Sequence, residues 1–180
     1  KTNKAEDKAA YADTVLGNSK AYSASNVLDG DQDTYWTPEA GNSMGSVLID
    51  LGETTNFDVV SIEEAIQLGQ RITNYKVEYS NDLQNWETMD EGTTVGSKRL
   101  SRTSPVKARY VKVTVSTNED TSPLISEIGV YKATGGLELN SSVPEGLTVV
   151  DNTDKDTSDG FGFTYNNSWV QEKGKDFING

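Results

Sequence analysis

Short runs of alternating apolar and polar residues recur along most of the chain. Val47-Leu48-Ile49-Asp50-Leu51 stops at Gly52, and Phe57-Asp58-Val59-Val60-Ser61-Ile62 is followed by Glu63-Glu64. Tyr75 to Ser80 alternates cleanly into the turn residues Asn81-Asp82. Between Tyr110 and Val115, Val111, Val113 and Val115 share one face, and Ile125 to Tyr131 supplies a further short run. A period of two places successive side chains on opposite faces of a strand. No helical period is sustained after residue 30, and no helical crossover separates the runs. The pattern predicts an all-β chain of antiparallel strands, a sandwich or a barrel. Glu6 to Tyr11 contains helix formers but is too short to hold a helix alone, so it reads as loop or a helical turn.

The pattern breaks at Ala133-Thr134-Gly135-Gly136, which marks a boundary between a domain over residues 1–136 and a second segment over 137–180. The second segment contains the polar run Asp151 to Gly160, then Phe161, Phe163, Tyr165 and Trp169 at strand-like spacing. It has too few apolar groups for a core of its own. The expectation is a linker plus the first strand or strands of a following, truncated module. The chain opens on Lys1 without a Met, which fits a piece cut from a larger protein.

Composition narrows the partners. The 28 acidic against 16 basic residues give a net charge of −12, which repels phosphate backbones and anionic lipid surfaces. Nucleic acid and membranes are therefore not expected partners, whereas neutral sugars and Ca²⁺ are compatible. There is no Cys and no His, which excludes disulfides, thiolate metal sites and histidine acid–base chemistry. A disulfide-free secreted or cell-surface-attached bacterial protein, monomeric as an isolated module, is the expectation.

The densest chemistry lies in Asn26-Val27-Leu28-Asp29-Gly30-Asp31-Gln32-Asp33-Thr34-Tyr35-Trp36. Three acids and a threonine hydroxyl share one tight turn, and such crowding is repulsive unless a cation or the backbone compensates. A hard cation takes six to eight oxygens from carboxylates and carbonyls, with glycine at the bend. The spacing is not that of an EF-hand. By itself it fits a cation loop or an ordinary acidic surface turn.

Residues 28–36 resemble the opening signature of the discoidin, or coagulation factor 5/8 type C, fold, which includes the family 32 carbohydrate-binding modules. Later marks follow in order: Tyr79-Ser80-Asn81-Asp82 before Asn85-Trp86, then Ala108 to Val113, then Ile125 to Tyr131. The resemblance covers roughly residues 10–133 and implies an eight-stranded jelly-roll β-sandwich with a structural Ca²⁺. It assigns the metal to the side chains of Asp29, Thr34 and Glu127, with carbonyls from Asn26, Asp31, Thr34 and Ser126. Glu127 read alone is equally a solvated acid at a strand end. A narrower likeness, over Phe57 to Tyr79 and Thr94 to Leu100, is to the C-terminal discoidin-type domain of glycoside hydrolase family 29 α-L-fucosidases. It implies a non-catalytic accessory module beside a catalytic domain in the same chain. The module either binds glycan or buttresses its neighbour.

Sugar sites combine an aromatic face with planar charged or amide groups, and in the resembling modules they lie on loops at one end of the sandwich. The candidates here are Tyr22, Glu39, Glu64, Arg71 and Arg99, facing a glycan containing galactose, GalNAc or fucose. The chain lacks the His of many galactose-binding members, and the usual Arg position falls near Glu64 or Ala65. Glu64, Arg71 and Arg99 could equally form an ion-pair network between two loops. Trp36 and Trp86 are expected in the core. Two carboxylates can hydrolyse a glycoside, but the acids here cluster in the cation-like turn and at strand ends, which argues against an independent hydrolase.

Overall fold

Two long strands carry the architecture. The computed structural model describes residues 2–133, 147–149 and 163–165. Within them β1 (Ala9–Ala12), β2 (Met44–Glu64), β3 (Ile72–Ser80), β4 (Glu87–Gly92), β5 (Arg99–Thr117) and β6 (Ile125–Tyr131) form antiparallel pairs in the order β1-β2-β5-β3-β4, with β6 also on β2. The first half of β2 pairs with β1 on one side and with the second half of β5 on the other, Met44 to Asp50 lying opposite Ser116 to Tyr110. Its second half pairs with β6 and with the first half of β5, Val59 to Ile62 lying opposite Arg102 to Arg99. The register slips between these halves, at Asp50/Thr55 and again at Phe57/Val59. The alternation fails there because the strand turns from one layer of the sandwich to the other. Gly52 sits at the bend with φ +84, a left-handed conformation that disfavours a side chain.

The two runs read from sequence as separate strands, 47–51 and 57–62, are thus halves of one strand. Counting β2 and β5 as two segments each gives the eight of a jelly roll. The fold is the discoidin-like β-sandwich that the sequence implied.

The core lies between the layers. Val47, Ile49 and Leu51 on β2 and Val111, Val113 and Val115 on β5 point inward from one half. Phe57, Val60, Ile62, Ile128 and Val130 close it from the other. Trp36 is fully buried, donates from Nε1 to the Thr14 carbonyl at 3.0 Å, and forms a β-bridge with Ile125. Trp86 is not a core residue. It is half-buried, its Nε1 donates to the Leu83 carbonyl at 3.2 Å, and Lys112 Nζ lies 4.1 Å from its ring centroid. A tryptophan on a hairpin loop can cover the sheet edge without entering the core.

The N-terminal segment is a turn over residues 4–7 followed by β1, with no helical turn at Tyr11. Asn3 Oδ1 accepts from Ala5 N and Val130 N, and Lys4 N donates to the Val130 carbonyl at 2.7 Å. These bonds strap the chain start onto β6. The chain divides into two compact units, 1–134 and 135–180. In the second, β7 (Leu147–Val149) and β8 (Phe163–Tyr165) pair antiparallel. The rest of the expected linker and following module, Trp169 included, lies outside the described residues. No helix among those residues is long and apolar enough to cross a membrane.

Candidate functional site

The acidic turn is closed by its own side chains. Thr34 Oγ1 donates to Asp29 Oδ2 at 2.7 Å and approaches the Asp31 carbonyl at 3.0 Å, while Asp29 Oδ1 accepts from Asp31 N. Asp31 Oδ1 accepts from Asp33 N. Asn26 anchors the turn from behind, donating through Nδ2 to the carbonyls of Ala21 and Tyr35 at 2.9 and 3.0 Å.

Glu127, on β6, meets this turn from far along the chain. Its carboxyl is pushed up to about 7, by burial first, then by the Asp29 carboxylate, while the Gly30 N–H opposes the rise and Glu63 and a hydrogen bond to Asp29 add to it. Among the described residues, Oε1 of Glu127 is buried with no hydrogen-bond partner. Ser126 beside it is buried, its hydroxyl donating to the carbonyls of Glu63 and Glu64 at 3.2 Å each. Glu63 in turn accepts from Lys98 Nζ at 2.7 Å and Gln32 Nε2 at 3.0 Å. Asp29, Gln32, Glu63, Glu127 and Tyr131 line a cleft of about 540 Å³.

These residues fit a hard cation. Two mutually repelling carboxyls and a hydroxyl converge, one carboxyl oxygen has no partner, and every donor is oxygen. No three acids among the described residues converge closely enough to hold a metal by themselves. Carbonyls would have to complete the shell, as expected for Asn26, Asp31 and Ser126.

The loop residues proposed for sugar do not form one set. Glu64 is buried and accepts three backbone N–H groups, from Arg71 and Ile72 through Oε1 at 2.8 and 2.9 Å and from Gly96 through Oε2 at 2.7 Å. It organises two loops and offers nothing to a ligand. Arg99 lies 5.2 Å from the Tyr75 ring centroid and 3.7 Å from Asp90. Glu39 accepts from Gly17 N at 3.1 Å and Ala40 N at 3.1 Å. The Glu64–Arg71–Arg99 ion-pair network is not formed, because Glu64 takes the amide of Arg71 and Arg99 takes Asp90.

Tyr22 pairs with Tyr35, which sequence reasoning passed over, and Trp36 next to it bridges Ile125, three residues along the chain from the Ser122 carbonyl that Arg71 contacts. The rings of Tyr22 and Tyr35 lie 5.5 Å apart at 39°. Burial raises the Tyr35 phenol, a hydrogen bond and the charge of Tyr22 raise it further, and the Arg71 guanidinium pulls it back. Gln67 Nε2 donates to the Gln32 carbonyl at 2.9 Å, fastening the 65–71 loop to the acidic turn. The missed signal was alternation: with Trp36 pointing inward, its neighbour Tyr35 must point away from the core.

The turn at 29–36, its Glu127 partner and the sandwich that brings them together coincide with a known family. The F5/8 type C domain model matches residues 9–128. The chain belongs to the F5/8 type C domain family. Among solved structures this F5/8 type C chain is similar to a Ruminococcus gnavus GH29 fucosidase in complex with fucose, at 51% identity and TM-score 0.72, covering 74% of this chain and 27% of that one. Alpha-L-fucosidase 1 of Arabidopsis thaliana is 36% identical over 115 residues, 63% of this chain and 22% of that protein. The chain thus spans about a quarter of the length of the curated fucosidase relatives it matches. The fold also matches chitosan-binding module 2 of a Paenibacillus chitosanase/glucanase, solved with chitotriose, at 24% identity and TM-score 0.63 over 72% of this chain and 99% of that one.

Proposed function

We propose that residues 1–136 are a non-catalytic carbohydrate-binding accessory module of a secreted bacterial GH29 α-L-fucosidase, stapled by a structural Ca²⁺. The observation that carries the glycan reading is the Tyr22–Tyr35 ring pair with Arg71, on loops at one end of a sandwich whose 51% identical relative is part of a fucosidase. Tilted phenol rings offer C–H stacking faces, and their hydroxyls with a guanidinium can bond sugar hydroxyls. The ligand class is a galactose-, GalNAc- or fucose-containing glycan, bound weakly, at roughly 0.1–1 mM. The Asp29–Thr34–Glu127 cluster would hold the cation, linking β6 to the loop that ends in Tyr35 and Trp36. A glycan array probed with the 180-residue chain, repeated with Tyr22→Ala, tests the reading. Reproducible binding lost in Tyr22→Ala supports it, and a blank array with folded protein defeats it.

A second reading rests on different residues. Ile66 and Leu68 are 43% and 46% exposed on the loop that Glu64 pins. A rigid loop presenting apolar side chains suits an interface with the catalytic domain, and the module would then buttress its neighbour without a sugar of its own. Loss of fucosidase stability on deleting the module, with no glycan binding, would favour it.

A further inference from the structure

Arg71 is half-buried, yet among the described residues it has no carboxylate partner. The ion pairs there use Lys76, Lys98, Arg99, Arg109, Lys112 and Lys132 instead. In a chain of net charge −12 an arginine has many carboxylates available, so its lack of one is informative. Among the described residues its guanidinium makes two long contacts, Nη1 to the Ser122 carbonyl at 3.5 Å and Nη2 to the Leu68 carbonyl at 3.4 Å. These hold the group in place without consuming its fork of donors, which matches a planar or tetrahedral oxyanion in two-pronged fashion. Its placement is fixed from both sides. The Arg71 backbone N–H is held by the buried Glu64 carboxylate at 2.8 Å, and Gln67 ties the same loop to the Gln32 carbonyl at 2.9 Å. The Tyr22 and Tyr35 rings lie 5.5 Å apart, and Tyr35 is held towards Arg71 because its neighbour Trp36 bridges Ile125, three residues from the Ser122 carbonyl that Arg71 contacts.

We propose that the Tyr22–Tyr35–Arg71 surface selects glycans bearing an anionic oxygen group, a carboxylate or a sulfate, with Arg71 as the residue that determines this preference. The tyrosine rings take the sugar face, and the guanidinium takes the anion at its edge. The proposal rests on the carbohydrate-binding reading and sharpens it. The acidic surface elsewhere does not cancel the preference, because charges more than about 10 Å away are largely screened at moderate salt while a direct, partly buried ion contact is screened much less. Local geometry therefore overrides net charge.

The test is a titration of the 180-residue chain, followed by NMR, with three probes: trigalacturonate, a 6-sulfated galactose disaccharide and neutral galactotriose. The expected result is that at least one anionic probe binds roughly tenfold or more tightly than the neutral one. That preference should fall towards unity in Arg71→Gln and shrink as NaCl is raised. Trigalacturonate alone responding identifies the carboxylate, and the sulfated disaccharide alone identifies the sulfate. Arg71→Lys, which keeps the charge without the fork, should retain only part of the preference. Equal or tighter binding of galactotriose by the native chain overturns the anion preference and leaves the carbohydrate-binding reading standing. Binding of none of the three probes, together with a blank array, removes both. If Arg71→Gln does not fold, the native preference and Arg71→Lys still decide the matter. An anionic preference that Arg71→Lys leaves whole and salt leaves unchanged would overturn the role given to Arg71.

Discussion

Thr34 Oγ1 donates to Asp29 Oδ2 at 2.7 Å, so the two side chains nearest to each other in the acidic turn satisfy one another. Glu127 gains nothing from that bond, and its Oε1 stays buried without a partner among the described residues. A ligand that binds only the folded state stabilises it by mass action, about 2.7 kcal/mol at a concentration of one hundred times its Kd. Ca²⁺ is therefore expected to raise Tm and excess chelator to lower it, as read by calorimetry. Asp29→Ala should remove the response. In chelator Glu127→Gln should be at least as stable as the native chain, because it no longer buries a carboxylate charge beside that of Asp29. With Ca²⁺ it should be the less stable of the two. An unchanged Tm in chelator would rule out the metal site.

Glu64 tests the pinned loops. Its three amide contacts come from segments 71–72 and 96, and each buried N–H left without an acceptor costs about 1–3 kcal/mol. Glu64→Ala should destabilise the domain by roughly 3 kcal/mol or more. Hydrogen exchange of the amides of Arg71, Ile72 and Gly96 should accelerate ahead of the core strands. Uniform protection in the variant would contradict the assignment.

Gly45 tests the close approach to Trp36. A Cβ placed there would lie 2.7 Å from Cη2 of the buried indole and 3.2 Å from Cβ of Pro38. Neither the ring nor the proline can withdraw, so Gly45→Ala should cost about 1–3 kcal/mol, as overpacking generally does. A urea midpoint equal to that of the native chain would refute this.

Acid stability has a defined sign. A two-pronged bond from Arg109, Nε and Nη2 both at 2.8 Å, lowers the Asp50 carboxyl below its ordinary 3.8. Burial alone would raise Glu78, but bonds from Lys76 and Lys112 outweigh it and lower that group below 4.5. Groups depressed by folding contribute stability that is complete above their unfolded values and is lost as pH falls through the folded ones. Their contribution should be flat from about pH 5 to 7 and decline below about pH 4. Asp50→Asn should flatten part of the decline in urea midpoints. A slope unaltered in the variant would exclude Asp50 as a source.

Period-two alternation made each half-strand legible, because strand faces are set by neighbours two residues apart. The inward sides of 47–51 and 111–115 follow from it, and so does the outward turn of Tyr35, whereas 57–62 is buried on both faces and shifts register at Phe57/Val59. The acidic turn was equally readable, since its Asp29, Asp31 and Thr34 contacts span at most five residues. What the local pattern could not contain is any relation made by folding over. Only the bend at Gly52 joins two apparent strands into β2, and only β6 packing brings Glu127 to Asp29. Trp86 left the core because a half-buried indole on a hairpin looks the same in sequence as a buried one. Glu64 and Arg71 looked like partners because opposite charges attract. The fold paired Glu64 with backbone amides instead, since a buried carboxylate is satisfied best by fixed N–H donors, and so left the Arg71 guanidinium without a carboxylate among the described residues.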